Sequence, residues 1–255
     1  MIELCALSGG YGGKPVVETV STRFLSGALN VLIGPNGCGK STLLRMASGL
    51  MTPQSGRVLL AGRDIQTLRP QELARQIAYL PQSRDSHAIA AKTLVLHGRF
   101  PHLGYPRRYR REDTEAAQAA MARLGIESLA DQTVNTLSGG ERQKVYFAMM
   151  LAQGSPVMLM DEPTTFLDIG RQLEVMDTAQ WLRDQGQTLV VVLHDLNLAL
   201  SRADRLFVMH QGQLLFEGTP ADVYASGVLE EAFQVRAGRM ETPEAGTQYY
   251  FTPKA

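Results

Sequence analysis

Apolar residues in this chain follow two patterns. Leu29-Asn30-Val31-Leu32-Ile33, Ile77-Ala78-Tyr79-Leu80, Pro156-Val157-Met158-Leu159-Met160 and Thr188-Leu189-Val190-Val191-Val192-Leu193 are short runs without polar alternation. Such runs predict strands buried on both faces, as in a parallel sheet. Val16 to Phe24 alternates at period two, and Gly56 to Gly62 reads as a strand closed by a turn. Arg205–His210 and Gln213–Glu217, around Gln211-Gly212, read as a hairpin. Gly9-Gly10-Tyr11-Gly12-Gly13 is expected to be the loop between two N-terminal strands.

The second pattern has helical spacing. It predicts helices over Thr42 to Ala47 with Gly49 as stop, Pro70 to Gln76, Glu112 to Leu124 with Gly125 as stop, and Gly139 to Ala152. Further helices are expected from Asp168 to about Asp184, from Leu196 to Ala203 and from Pro220 to Phe233. Strand signals vanish between Ser83 and Thr136, so this region reads as a helical insertion in an α/β core. It contains Pro106-Arg107-Arg108-Tyr109-Arg110-Arg111, either a solvated loop or a contact with a partner or a membrane surface. The tail after Gly238 is polar, with Thr247 to Phe251 as a last strand.

Composition narrows the class. The 255 residues include 25 basic and 25 acidic side chains, so nothing points to nucleic acid. Cys5 and Cys38 lie in unrelated contexts, with no disulfide framework, which suits a reducing compartment. The N-terminus lacks a signal-peptide pattern, and no apolar run approaches the ~20 residues of a spanning helix. The chain by itself is expected to be soluble.

The clearest chemistry lies in Gly34-Pro35-Asn36-Gly37-Cys38-Gly39-Lys40-Ser41-Thr42, between a predicted strand and a predicted helix. The spacing is that of a P-loop. Glycines let successive N–H groups point at one phosphate, and the helix N-terminus adds partial positive charge. Lys40 reaches the β- and γ-phosphates, and the Ser41 hydroxyl suits Mg²⁺. Cys38, at a helix entrance, is expected to favour its thiolate.

Four further features end strands or begin helices. Gln82 follows a strand end, where open α/β sheets place ligands, though it is equally an ordinary loop residue. Ser138-Gly139-Gly140 opens a helix; taken alone Ser138 is a cap, and with the P-loop it is a second phosphate-binding device. Asp161 and Glu162 end an apolar strand, and adjacent strand residues point to opposite faces. Their roles should differ: Asp161 toward Mg²⁺, Glu162 toward an attacking water. His194 ends the Thr188–Leu193 strand in line with both, whereas the other histidines form no ligand-spaced cluster.

These features, in this order, resemble the ATPase subunit of ABC transporters over about Ile2 to Tyr224. Ser138-Gly139-Gly140, between Gln82 and Asp161, makes the resemblance specific. His97-Gly98-Arg99-Phe100-Pro101-His102, Thr164-Thr165-Phe166-Leu167-Asp168 and His194-Asp195-Leu196-Asn197-Leu198-Ala199 resemble ATPases of iron-siderophore, haem and cobalamin importers. Two departures stand out: Glu141 where the family most often has Gln, and Phe166 where Ala is more frequent.

The resemblance implies an α/β P-loop ABC ATPase over residues 2–240. It would have a mostly parallel core sheet, an N-terminal antiparallel β subdomain and a helical subdomain over about 83–152, with 241–255 as a tail. It implies ATP and Mg²⁺, Tyr11 stacked on adenine, Glu162 as general base and His194 on the water or γ-phosphate. Gln82 joins Lys40 in catalysis and Ser41 and Asp161 at the metal, and Asp168 joins the nucleotide contacts. It further implies a head-to-tail homodimer, with Ser138-Gly139-Gly140 of one chain closing on the ATP of the other. The other partners would be two membrane-spanning permease subunits and a substrate-binding protein. The chain would lie at the cytoplasmic face of the inner membrane, receiving a permease helix in the Gln82 to Tyr105 region, where Arg99 is expected to serve coupling. The competing class is a soluble ABC ATPase without a pore, for cluster assembly or repair.

Overall fold

The computed structural model describes residues 1–82, 88–165, 167–242 and 246–254. In chain order the strands and helices are β1 (Ile2–Tyr11), β2 (Lys14–Phe24), β3 (Leu29–Ile33), α1 (Lys40–Ala47), β4 (Ser55–Leu60), β5 (Arg63–Asp64), α2 (Pro70–Gln76) and β6 (Ile77–Leu80). Then come α3 (Ala91–His97), α4 (Arg111–Arg123), α5 (Gly139–Gln153), β7 (Val157–Asp161), α6 (Ile169–Asp184), β8 (Thr188–Val192) and α7 (Leu196–Arg202). The chain closes with β9 (Arg205–His210), β10 (Gln213–Gly218), α8 (Pro220–Ala225), α9 (Val228–Phe233), β11 (Val235–Thr242) and β12 (Gly246–Pro253).

The central sheet runs β10-β9-β3-β8-β7-β6, parallel except for the β9–β10 hairpin. Its unbroken apolar runs serve two cores at once. Leu29, Val31, Met158, Met160, Leu189 and Val191 face the core shared with α5 and α6. Leu32, Val157, Leu159, Val190 and Val192 face a second core, with α1 and the N-terminal sheet. Both faces are covered, so the period-two signal disappears, as a parallel sheet requires. The N-terminal sheet, β2-β1-β4-β5, is antiparallel.

Three expectations are corrected. Gly9, Gly10 and Tyr11 belong to β1, not to a loop; only Gly12 and Gly13 turn. The glycines serve close approach, since a Cβ on Gly10 would lie 1.9 Å from the Lys14 carbonyl oxygen. The helix expected over Pro220–Phe233 is two helices, α8 and α9, broken at Gly227 with φ +74°. The single late strand is a hairpin, β11–β12, whose Tyr249 and Phe251 pack on the larger core.

In the helical region α3, α4 and α5 pack together, and Arg99 sits inside that packing. Its side chain, 16% exposed, donates to Asp113 Oδ1 at 3.0 Å and to the Ala152 carbonyl at 2.9 Å. Arg99 thus ties the end of α3 to α4 and α5, a structural role beside the coupling role expected for it. Burial would push the Asp113 carboxyl up, but the Arg110 amide and the Arg99 guanidinium outweigh it and hold the group below the usual range. A depressed carboxyl stabilises the fold above its unfolded pKa and loses that contribution as pH falls through its folded pKa. Asp113→Asn should thus cost about 3–5 kcal/mol in urea unfolding at pH 7, the cost of breaking a buried pair. The gap to the parent should shrink steadily on acidification; a gap constant with pH would contradict the pairing.

Candidate functional site

The C-terminal ends of β3, β6, β7 and β8 open on one cleft of about 370 Å³, lined by Val16, Asn36, Gly37, Gly39, Lys40, Ser41, Thr42, Gln82, Glu162 and His194. The loop after β3 reaches α1 through Gly39, at φ +105°, where a Cβ would meet the Val16 carbonyl at 2.9 Å. Lys40, only 5% exposed, donates from Nζ to the carbonyls of Gly34 at 2.7 Å and Pro35 at 3.0 Å. Its charge is held over the curl of the loop, at the positive end of α1.

Asp161 and Glu162 do take different environments, for a different reason from strand alternation. Glu162 lies just past β7 in the left-handed region, at φ +50°, which turns it away from Asp161's setting. Asp161, 1% exposed, accepts from Ser41 Oγ at 2.9 Å and from Tyr79 Oη at 3.3 Å. Burial pushes its carboxyl up, and the Ser41 hydrogen bond works against that shift. Glu162 is met by Gln82 Nε2, by His194 Nε2 and, at 3.0 Å, by Thr165 Oγ1. His194 is 40% exposed, so it bridges the buried carboxylate and the open cleft.

Ser41 Oγ and Asp161 Oδ1 are adjacent hard oxygens. Among the described residues no three His, Cys, Asp or Glu side chains form a metal cage. That donor set fits Mg²⁺, which takes one or two protein oxygens and fills its shell with water and phosphate.

Other expected residues lie elsewhere. Tyr11 does not line the cleft; its hydroxyl accepts from Arg45 Nη1 at 2.9 Å. Ser138 caps α5 in a capping box: its amide and hydroxyl donate to Glu141 Oε2 at 2.9 and 2.6 Å. Hydrogen bonds from Ser138 hold the Glu141 carboxyl below its usual range, which gives the unusual acid a role in the helix cap. Gly139 is exposed, and Asp168 caps α6 through the Arg171 amide at 3.0 Å. Ser138, Gly139, Gly140 and Asp168 are absent from the lining of this chain's own cleft. The reactive thiolate expected of Cys38 is overturned: the residue is 5% exposed, and burial raises its pKa despite the nearby Lys40 charge. Phe166 lies outside the described residues.

Sequence reading missed Val16, Arg45, Tyr79 and Thr165. Tyr79 carried a signal, as the one polar-tipped residue in the apolar β6 run. Thr165, three residues beyond Glu162, carried a weaker one.

The family described as ABC transporter matches residues 17–165. The ferric enterobactin transport ATP-binding protein FepC of Escherichia coli K12 is 43% identical over 243 residues, covering 94% of this chain and 90% of that one. The iron(3+)-hydroxamate import ATP-binding protein FhuC of Bacillus subtilis is 37% identical, covering 92% and 88%. A solved metal-chelate type ABC transporter in an inward-facing conformation overlays with a TM-score of 0.86 at 24% identity, covering 99% and 98%, and shows the fold. The dimeric structure of MJ0796, a bacterial ABC transporter cassette, overlays with a TM-score of 0.75 at 27% identity, covering 86% and 99%.

Proposed function

The chain belongs to the ABC transporter family as an ATP-binding subunit, and on that premise we propose that it hydrolyses ATP to drive import of an iron-siderophore or similar metal chelate through separate membrane subunits. One observation carries the enzymatic part: Lys40, Ser41, Gln82, Glu162 and His194 line one cleft at the strand ends. The relatives named above for ferric enterobactin and iron-hydroxamate carry the substrate class. Among the described residues no helix is long and apolar enough to cross a membrane, and the relatives' names as ATP-binding proteins of transport systems support a pore on separate subunits.

The loop amides and Lys40 bind the phosphates and offset their charge. Ser41 and Asp161 would hold Mg²⁺, which when bound would neutralise phosphate charge. Glu162 accepts the proton of the attacking water, and its left-handed backbone and three neighbours fix where the accepting oxygen points. His194 and Gln82 hold the water and γ-phosphate in line. Ser138, Gly139 and Gly140 bind the ATP of a second chain, which accounts for a phosphate-binding edge outside this chain's cleft. Tyr11 stacks on the base and Asp168 completes the site across the dimer. Closure around ATP and opening after hydrolysis form the two-state element that the permease reads.

The test is transport. Vesicles carrying the permease subunits and this chain, loaded internally with MgATP, are given radioiron as its enterobactin or hydroxamate chelate, with cobalamin as the competitor class. Uptake should require internal ATP, fall to background with Lys40→Ala, and favour an iron chelate. ATP-driven turnover with no membrane association and no uptake of any chelate would favour a soluble ATPase instead.

A further inference from the structure

A line of polar side chains runs from the tip of the N-terminal sheet to Asp161, and two of its members, Arg45 and Tyr79, have no part in the reaction described above. Ser41 and Arg45 are four residues apart on α1 and share a helix face. Ser41 donates to Asp161 Oδ1 at 2.9 Å. Tyr79, on β6 beside β7, donates to Asp161 Oδ2 at 3.3 Å. Arg45 donates to Tyr11 Oη at 2.9 Å, and its guanidinium charge acts on the nearby Tyr79 hydroxyl. Hydrogen bonds thus tie α1 to β1 and to β7, and β6 to β7, with Arg45 and Tyr79 side by side between them.

Asp161 is buried, which makes its charge costly unless each oxygen is satisfied. Each oxygen has a neutral donor, and Arg45 stands behind one of them. A guanidinium beside a phenol draws electron density from the hydroxyl and strengthens its donation to the next acceptor. Arg45 makes no ion pair with Asp161, although its charge favours the ionised carboxylate, which remains available to meet a cation.

We propose that Tyr79 and Arg45 are positioning residues for the Mg²⁺ carboxylate, anchored at the outer end by Tyr11. Tyr79 holds Oδ2 so that Oδ1 stays turned toward Ser41 and the metal. Arg45 ties that arrangement to the tyrosine proposed to stack on the base, so base binding and metal binding favour each other. This rests on the ATP reading of the cleft.

The test measures ATP affinity by equilibrium binding with Mg²⁺ and with EDTA, and takes the ratio. Tyr79→Phe keeps the ring and removes only the hydroxyl. It should lower the ratio by roughly tenfold, the worth of one hydrogen bond to a charged group, while thermal melting confirms the fold. Tyr11→Phe, which keeps a ring for stacking, should lower the same ratio. The double variant should fall no further than Tyr79→Phe alone, as for residues acting in one chain of contacts. An unchanged ratio in folded Tyr79→Phe, or fully additive losses, would overturn the relay. A parent chain that gains no ATP affinity from Mg²⁺ would instead sink the reading of the cleft, and the relay with it.

Discussion

Glu162→Gln should bind ATP and lose turnover by about 10²–10⁴-fold, the usual worth of a general base. The substitution is close to isosteric. It keeps an oxygen for Gln82 Nε2 and Thr165 Oγ1 to meet and does not disturb the P-loop. It removes the group that takes the water's proton, and no neighbour replaces it: Asp161 is committed to Ser41 and Tyr79. Glu162 also occupies a left-handed backbone position, at φ +50°, which a side chain tolerates at a cost of order 1–3 kcal/mol. Strain of that kind fits a residue whose carboxylate must point one way. ATP affinity and steady-state phosphate release, measured on the same protein, separate binding from chemistry. Release at near the parental rate from a folded variant would contradict the assignment.

The architecture was legible because the chain writes its elements locally. Val190 and Val192 face one core while Leu189 and Val191 face the other, and an unbroken apolar run is the only sequence that does this. The P-loop was legible because its spacing is set by phosphate geometry. What stayed hidden depended on contacts distant in sequence. The packing role of Arg99 stays hidden until Asp113 and Ala152 are brought to it. Cys38 reads as an activated thiol until the fold buries it. β11 is mostly solvent-facing and polar, so no apolar period marks it, and it exists through its pairing with β12. Tyr79 was visible as an oddity in an apolar strand, but its partner is on the next strand over. Glu141 was noticed as a departure, and the capping box with Ser138 supplies its reason.

Lys40→Ala and Gly139→Asp should each abolish ATP-driven dimerisation alone and restore it when mixed. Lys40→Ala removes the cation over the chain's own P-loop, which Nζ holds through Gly34 and Pro35. Gly139→Asp acts on the edge offered to the other chain. Gly139 is exposed, a Cβ there would meet nothing within 4 Å, and an acid suits the first turn of a helix, so the fold should survive. The new carboxylate would face the phosphates of the partner's ATP and repel them. In each homodimer both sites are spoiled. In the mixed dimer one site carries both defects, and the other joins an intact P-loop to an intact edge. Adding Glu162→Gln to both chains prevents hydrolysis from releasing that ATP. With differently tagged chains, size-exclusion chromatography in MgATP should show a mixed dimer that neither variant forms alone. Absence of any ATP-dependent mixed dimer, from two chains that are each folded, would mean that every chain carries a complete site of its own.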